Sequence, residues 1–205
     1  MNKRLRLEIA HEAAKILIHS GNEDYLFAKT KAANRLGVTD NKLMPSNVEI
    51  ESALIEYQSL YESNEQANRL NELRLTTLKA MQLFKDYSPL LTGPVLNGTA
   101  NQHSEIILHL FEDAPELIGV LLDQKQIPKR VCERRLQFRK NTPKYFTAYA
   151  FLAGETDIVA IILPAHSRKH SPLDPVNGKP ARRANIKQVE KLIDDFHAST
   201  DNNKS

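Results

Sequence analysis

Glu105, His109 and Asp157, together with Gly98, Thr99 and Ser104, are residues whose types and spacing could hold a phosphate and a divalent cation. Gly98-Thr99 ends the apolar run that begins at Pro94. Ser104-Glu105 opens a second run through Phe111, and Asp157 opens a third. A glycine lets backbone N–H groups approach an anion, and a neighbouring hydroxyl adds a donor. Carboxylates on adjoining strands supply the oxygen ligands that magnesium requires. Side chains alternate along a strand, so Ile106, Leu108 and Leu110 should face the core. Glu105, Ile107 and His109 then share the other face.

These residues need a sheet to hold them, and the pattern supplies one after a helical first half. Leu5, Ile9, Ala13, Ile16 and Leu17 follow helical spacing, with Gly21 as a stop. A second helix fits Asp24 to Leu36, closed by Gly37. Ser46 and Glu49 form a capping box that should start a third helix, running to about Tyr61. Ser63 starts a fourth, with Leu70, Leu73, Met81 and Phe84 on one stripe, and Pro89 ends it. Beyond it, 94–98 and 105–111 read as strands, 113–124 as a helix and 131–139 as a strand. Residues 145–153 and 157–163 form a hairpin around Gly154-Glu155-Thr156. A proline-rich stretch, 164–180, leads to a last helix capped by Asn185, which runs to about Ala198. The expected class is α+β: a helical region (1–90), a small mixed sheet with flanking helices (91–200), and a disordered tail (201–205).

The residues quoted first resemble the signature of the minimal nucleotidyltransferases of the DNA polymerase β-like superfamily. That signature is a Gly-Ser turn, a short loop, then Ser-Asp-hydrophobic-Asp on the next strand and a third acid on a later strand. Gly98-Thr99 stands for Gly-Ser, Ser104-Glu105-Ile106-Ile107-Leu108 for the acidic strand, and Asp157 for the third acid. The resemblance spans about 70 residues, from Gly93 to Leu163. It implies catalytic roles for Glu105 and Asp157, magnesium or manganese between them, and phosphate held by Gly98, Thr99 and Ser104. The pattern departs at Ile107, where the second metal carboxylate belongs, because isoleucine ligates nothing. His109 lies on the same face, roughly 6–7 Å further along, but imidazole suits softer metals than magnesium. The expectation is therefore a nucleotide- or phosphate-ligand-binding protein whose transfer chemistry is impaired. The chain also looks like a group of uncharacterised bacterial proteins that share this layout.

The average charge of +3 hides an asymmetry. Residues 125–183 carry 13 Lys/Arg against 4 Asp/Glu, while the rest carries 15 against 21. A basic segment on an acidic protein points to an anionic partner. Lys179, Arg182 and Arg183 are the residues placed to close over phosphates, since paired arginines make forked contacts. The alternative is a non-catalytic interaction or nucleic-acid-binding protein that uses this basic half. The stretch Ala32-Ala33-Asn34-Arg35-Leu36-Gly37-Val38 resembles the opening of a helix-turn-helix repressor. The next segment, Thr39 to Pro45, is too short for a recognition helix. With 41% hydrophobic residues, one cysteine (Cys132) and no apolar run of about 20 residues, the expectation is a cytoplasmic protein without disulfide or membrane span. Its oligomeric state is open.

Overall fold

The computed structural model describes residues 2–20, 24–61, 63–101, 104–139 and 142–202. The protein is α+β, and the chain divides into two compact units. The first comprises 1–69, 98–104 and 175–177. The second comprises 70–97, 105–174 and 178–205. The boundary between the units falls inside the fourth helix. Its C-terminal half goes with the sheet, where Phe84 meets Phe151 edge-on at 6.0 Å between ring centroids.

Unit 1 is built from α1 (Asn2–Ser20), α2 (Tyr25–Arg35), α3 (Asn47–Tyr61) and the start of α4 (Ser63–Leu83). Its core is rich in alanine: Ala10, Ala13 and Ala14 of α1 and Ala28, Ala32 and Ala33 of α2 are buried together with Ile9 and Ile50. The caps form where the sequence places them. Asp24 accepts from the N–H groups of Leu26 and Phe27. Gly37 (φ +67°) donates to Asn34 O and Val38 to Ala33 O, a Schellman stop. Ser46 and Glu49 bond reciprocally, at 2.7 and 3.3 Å. Glu49 also takes both nitrogens of a forked contact from Arg6, at 2.8 and 2.7 Å, tying α3 to α1. Arg6, helped by the Ser46 bonds and opposed by partial burial, holds the Glu49 carboxyl down at about 2. The segment after Val38 forms only a 3-10 turn, Asn41–Leu43, so no recognition helix comes after α2.

Unit 2 is a five-stranded mixed sheet of order β1-β2-β5-β4-β3. The strands are β1 (Leu90–Thr92), β2 (Ile106–Phe111), β3 (Lys129–Gln137), β4 (Pro143–Ala153) and β5 (Thr156–Leu163). β2 and β5 run parallel, in the register Ile106↔Ile158 to Phe111↔Leu163, and the other three strand pairs described are antiparallel. One face carries Leu91, Ile106, Leu108, Leu110, Ile158 and Tyr149 against helices. Tyr149 lies under α6 (Glu116–Gln124), so close that a Cβ on Gly119 would sit 2.8 Å from its hydroxyl. The first strand is not 94–98 as expected. Pro94–Asn97 is a short helix, α5, because proline fits a first helical turn. The strand is Leu90–Thr92, just before it. Asn185 and Gln188 cap α7 (Ile186–Asn202) reciprocally. That helix takes in residues 201 and 202 of the expected tail. Residues 203–205, like the stop at Gly21, lie outside the described set.

Candidate functional site

The second face of the sheet is where the chemistry would lie, and register fixes its membership. Ile107 and His109 on β2 are paired with Val159 and Ile161 on β5 and with Thr92 and Leu90 on β1, and side chains of paired residues share a face. Glu105 and Asp157 each stand immediately before the first β2–β5 pair, Ile106↔Ile158, at adjacent strand ends.

Glu105 does not face an open site. Both of its oxygens accept from Arg134 Nη2, at 2.9 and 2.8 Å. Register shows how unusual that contact is. Ile106 is level with Ile158, Ile158 with Phe151, and Phe151 with Lys129. Arg134 therefore stands three strands away and five residues further along than Lys129. In a flat sheet the two backbones would be roughly 20 Å apart or more, beyond the combined reach of the side chains. The β3–β4 ribbon must coil over the sheet, as long two-stranded ribbons do. An apolar cluster fills the curl: Ile107, Cys132, Leu136, Phe138, Phe146 and Leu163 pack in it. Phe138 and Phe146 meet edge-on at 5.8 Å. The Glu105–Arg134 pair is the polar latch of that curl.

Ile107 belongs to the same apolar packing. A Cβ added to Gly93 would lie 3.2 Å from Ile107 Cδ1. Gly93 (φ +77°) makes the turn from β1 into α5. The strand–glycine–helix turn is thus at Thr92-Gly93-Pro94. Gly98-Thr99, assigned that place from sequence, comes after α5 instead. Gly98 (φ +85°), the buried Thr99 and Ser104 belong to unit 1. There the Ser104 hydroxyl accepts from Asn101 N at 3.0 Å, inside its own loop.

Further along β2 the environment changes. His109 is 1% exposed, and its Nδ1 has no hydrogen-bond partner among the described residues. Burial pushes its pKa down to about 3, and the charge of Arg183 adds to the push. The imidazole is therefore neutral at physiological pH. Arg183 arrives from the segment after the proline-rich stretch. Residues 182–184 lie along β1: Leu91 and Ala184 exchange backbone bonds at 2.8 and 2.9 Å, and Thr92 Oγ1 donates to Arg182 O at 2.9 Å. Arg183 Nη2 donates to Arg168 O at 2.8 Å, and its guanidinium lies 5.8 Å from the Phe111 ring centre. Its Nη1 is buried with no partner among the described residues.

Beside this segment lies a cleft of about 260 Å³, lined by Leu96, Arg182, Arg183, Ala184, Gln188 and Leu192. Among the described residues no ion pair engages either arginine. Of the phosphate-binding set read from sequence, Arg182 and Arg183 line this cleft. Lys179 sits outside the cleft, in a turn where its carbonyl accepts from Asp174 N. Asp157 is exposed at its strand end. No group of three His, Cys, Asp or Glu side chains that could hold a metal ion exists among the described residues. A carboxylate latched to arginine, an isoleucine and a buried histidine do not form a magnesium or manganese donor set. Sequence reasoning missed Arg134 as the partner of Glu105, because the contact depends on strand order and curl. It also missed Gln188, whose only signal was its spacing from Asn185.

No family model and no curated protein matches the chain. Among solved structures, the chain is similar to one titled "structure of GLD-2/RNP-8 complex". Identity is 22%, over 51% of this chain and 42% of that one, with a TM-score of 0.28. The match spans under half the length of that neighbour, and a likeness of this size carries no argument.

Proposed function

We propose that the protein is a nucleotidyltransferase-like binder of a nucleotide or related phosphorylated ligand that does not transfer the nucleotidyl group. The observation that carries the binding half is the cleft beside α7, which Arg182 and Arg183 both line and where neither has an ion pair among the described residues. Arg183 also keeps a buried nitrogen without a partner among the described residues. An unsatisfied donor of this kind costs about 1–3 kcal/mol, a cost that a phosphate oxygen drawn up to the guanidinium would offset. Drug-sized ligands occupy clefts of about 300–1,000 Å³, so 260 Å³ suits a phosphate with an attached sugar better than a whole dinucleotide. The absence of transfer in this reading rests on Glu105, whose oxygens are committed to Arg134, and on Ile107, which is packed against Gly93.

The test pairs binding with label transfer. Thermal shifts are measured with inorganic phosphate, ribose 5-phosphate and nucleoside triphosphates, for the wild type and for Arg183→Gln. Transfer of labelled nucleotide to protein, RNA or small molecules is assayed with magnesium or manganese, with Glu105→Ala and Asp157→Ala as controls. The expected result is stabilisation by phosphorylated ligands, lost in Arg183→Gln, with no transfer. Transfer that disappears in both carboxylate variants would overturn the second half of the reading. No shift with any of these ligands would overturn the first.

A further inference from the structure

The sheet has two edges, and the chain treats them differently. On the β1 side, residues 182–184 lie against the edge. On the other side, β3 is the terminal strand, nine residues long, with no strand beyond it among the described residues. Among the described residues its outer side is engaged at one end, where Leu173 N donates to Gln137 O at 2.5 Å.

That single bond fixes the geometry of the rest. In a strand the N–H and C=O of one residue point to the same side, and the next residue points the other way. Since Gln137 points outward, so do Arg135, Glu133, Val131 and Lys129. Among the described residues no backbone bond reaches the outer side of these four. Their surroundings are open: Val131 is 63% exposed, and Tyr145, the cross-strand neighbour of Arg135, is 65% exposed. Residues 129–135 carry four Lys/Arg and one Glu. Lys129 pairs with Asp123 and Arg134 with Glu105. Arg130 and Arg135, on opposite faces of the strand, have no ion pair among the described residues.

We propose that this edge, Lys129–Arg135, docks an extended acidic segment of a partner protein, which adds to the sheet as a further strand. Backbone bonds to the four outward residues supply the pairing. Carboxylates beside Arg130 and Arg135 and an aliphatic side chain beside Val131 supply the preference. A second copy of this chain is disfavoured as occupant. The antiparallel pairing that uses the whole open segment is centred on Cys132. It sets Lys129 opposite Arg135 and Arg130 opposite Arg134, and like charges directly opposite are destabilising.

The test uses the full chain and a capped peptide of about eight residues built around Glu-Val-Val-Val-Val-Glu, whose two carboxylates, five positions apart, fall on opposite faces as Arg130 and Arg135 do, with the Lys–Val counterpart as control. Binding is followed by amide exchange and by titration. The expected result is protection at Val131, Glu133 and Arg135 by the Glu–Val peptide only. Val131→Pro removes an outward N–H without touching the β3–β4 ladder, and edge prolines are tolerated for that reason. It should weaken binding at least about tenfold, the loss of roughly one backbone bond to a preorganised edge. Arg130→Glu with Arg135→Glu, both at exposed positions, should reverse the preference to the Lys–Val peptide, and it serves as the second variant if Val131→Pro does not fold. Equal binding of both peptides would overturn the proposal, as would no binding by the Glu–Val peptide. So would stronger binding of single-stranded oligouridylate that Val131→Pro leaves unchanged, which would make the strip a phosphate surface.

Discussion

Glu105, just before β2, and His109, within it, stand four positions apart on one face of the sheet, and the protein handles the two in opposite ways. Glu105 is 41% exposed and fully paired, with its charge answered by a guanidinium that is 36% exposed. His109 is sealed from solvent, and its Nδ1 is left without a partner among the described residues, as is the nearby Arg183 Nη1. The first arrangement is a structural fastening, since partly exposed ion pairs contribute little but can set geometry. The second places polar atoms where they cost most. The sequence motif drew attention to the Glu105 end. The uncompensated groups are at the other end, beside the segment that also lines the cleft.

The largest break in this contrast comes from restoring the missing carboxylate. Ile107→Asp puts a charge into the curl beside Gly93 and should destabilise the fold by about 2–4 kcal/mol in denaturant unfolding. Adding Arg134→Gln frees Glu105 to face it. Millimolar manganese should then raise the melting temperature of the double variant and not of either single one. A manganese response in the wild type would show that the latch is no barrier to an ion.

The His109 end is tested by acid. Its folded pKa of about 3 lies below the unfolded value of 6.5, so the unfolded chain takes the proton first. Stability is therefore unaffected above pH 6.5 and falls as pH drops from there towards 3. Between pH 7 and 5 the loss is about 2 kcal/mol, or roughly 4–8 °C in Tm. His109→Leu should remove that part of the slope, measured as the difference in Tm between pH 7 and pH 5. It should also raise stability at pH 7 by about 1 kcal/mol by removing the unsatisfied nitrogen. Glu49 gives an internal reference. Its depressed pKa contributes stability that is present above its unfolded value of 4.5 and lost as pH falls through about 2. An Arg6→Gln variant should be less stable than the wild type by a constant amount at pH 5 to 7, and the difference should shrink only as pH falls from 4.5 towards 2.

The smallest effect is at the latch. A double-mutant cycle of Glu105→Gln and Arg134→Gln should give a coupling of about 0.2–1 kcal/mol. The curl would be disturbed more than the stability, so the near-ultraviolet circular dichroism of the Phe138–Phe146–Tyr145 region should change with little change in midpoint. A coupling well above that range would mean that the pair is more desolvated than its exposure indicates.

How far the sequence could be read depends on the range of each interaction. Helix ends governed by neighbours were legible: Asp24, Gly37, the Ser46–Glu49 box and Asn185 all cap where their local pattern says. The hairpin turn at Gly154 and the β2 alternation were legible for the same reason. The first strand was misplaced because Val95 and Leu96 are apolar in either structure. The deciding residue was Pro94, which favours the first turn of a helix. Glu105 was correctly set on the non-core face. That its oxygens belong to Arg134 was hidden, because 29 residues, two intervening strands and a coil of the ribbon come between the two. Arg183 was picked out for its charge alone. Its burial against His109 and Phe111 depends on where residues 182–184 join the sheet, which no local pattern announces.

The bridge between Leu91 and Ala184 has a consequence in biosynthetic time. Chains fold as they are made, from the N-terminus, at about 5–20 residues per second. For the whole interval between β1 and the arrival of residue 184, Leu91 offers its outer N–H and C=O to whatever strand comes near. The nascent sheet therefore passes through a stage with both flanks unprotected. A chain that stops before Arg182 would stay in that stage permanently, and aggregation by strand exchange is its natural fate.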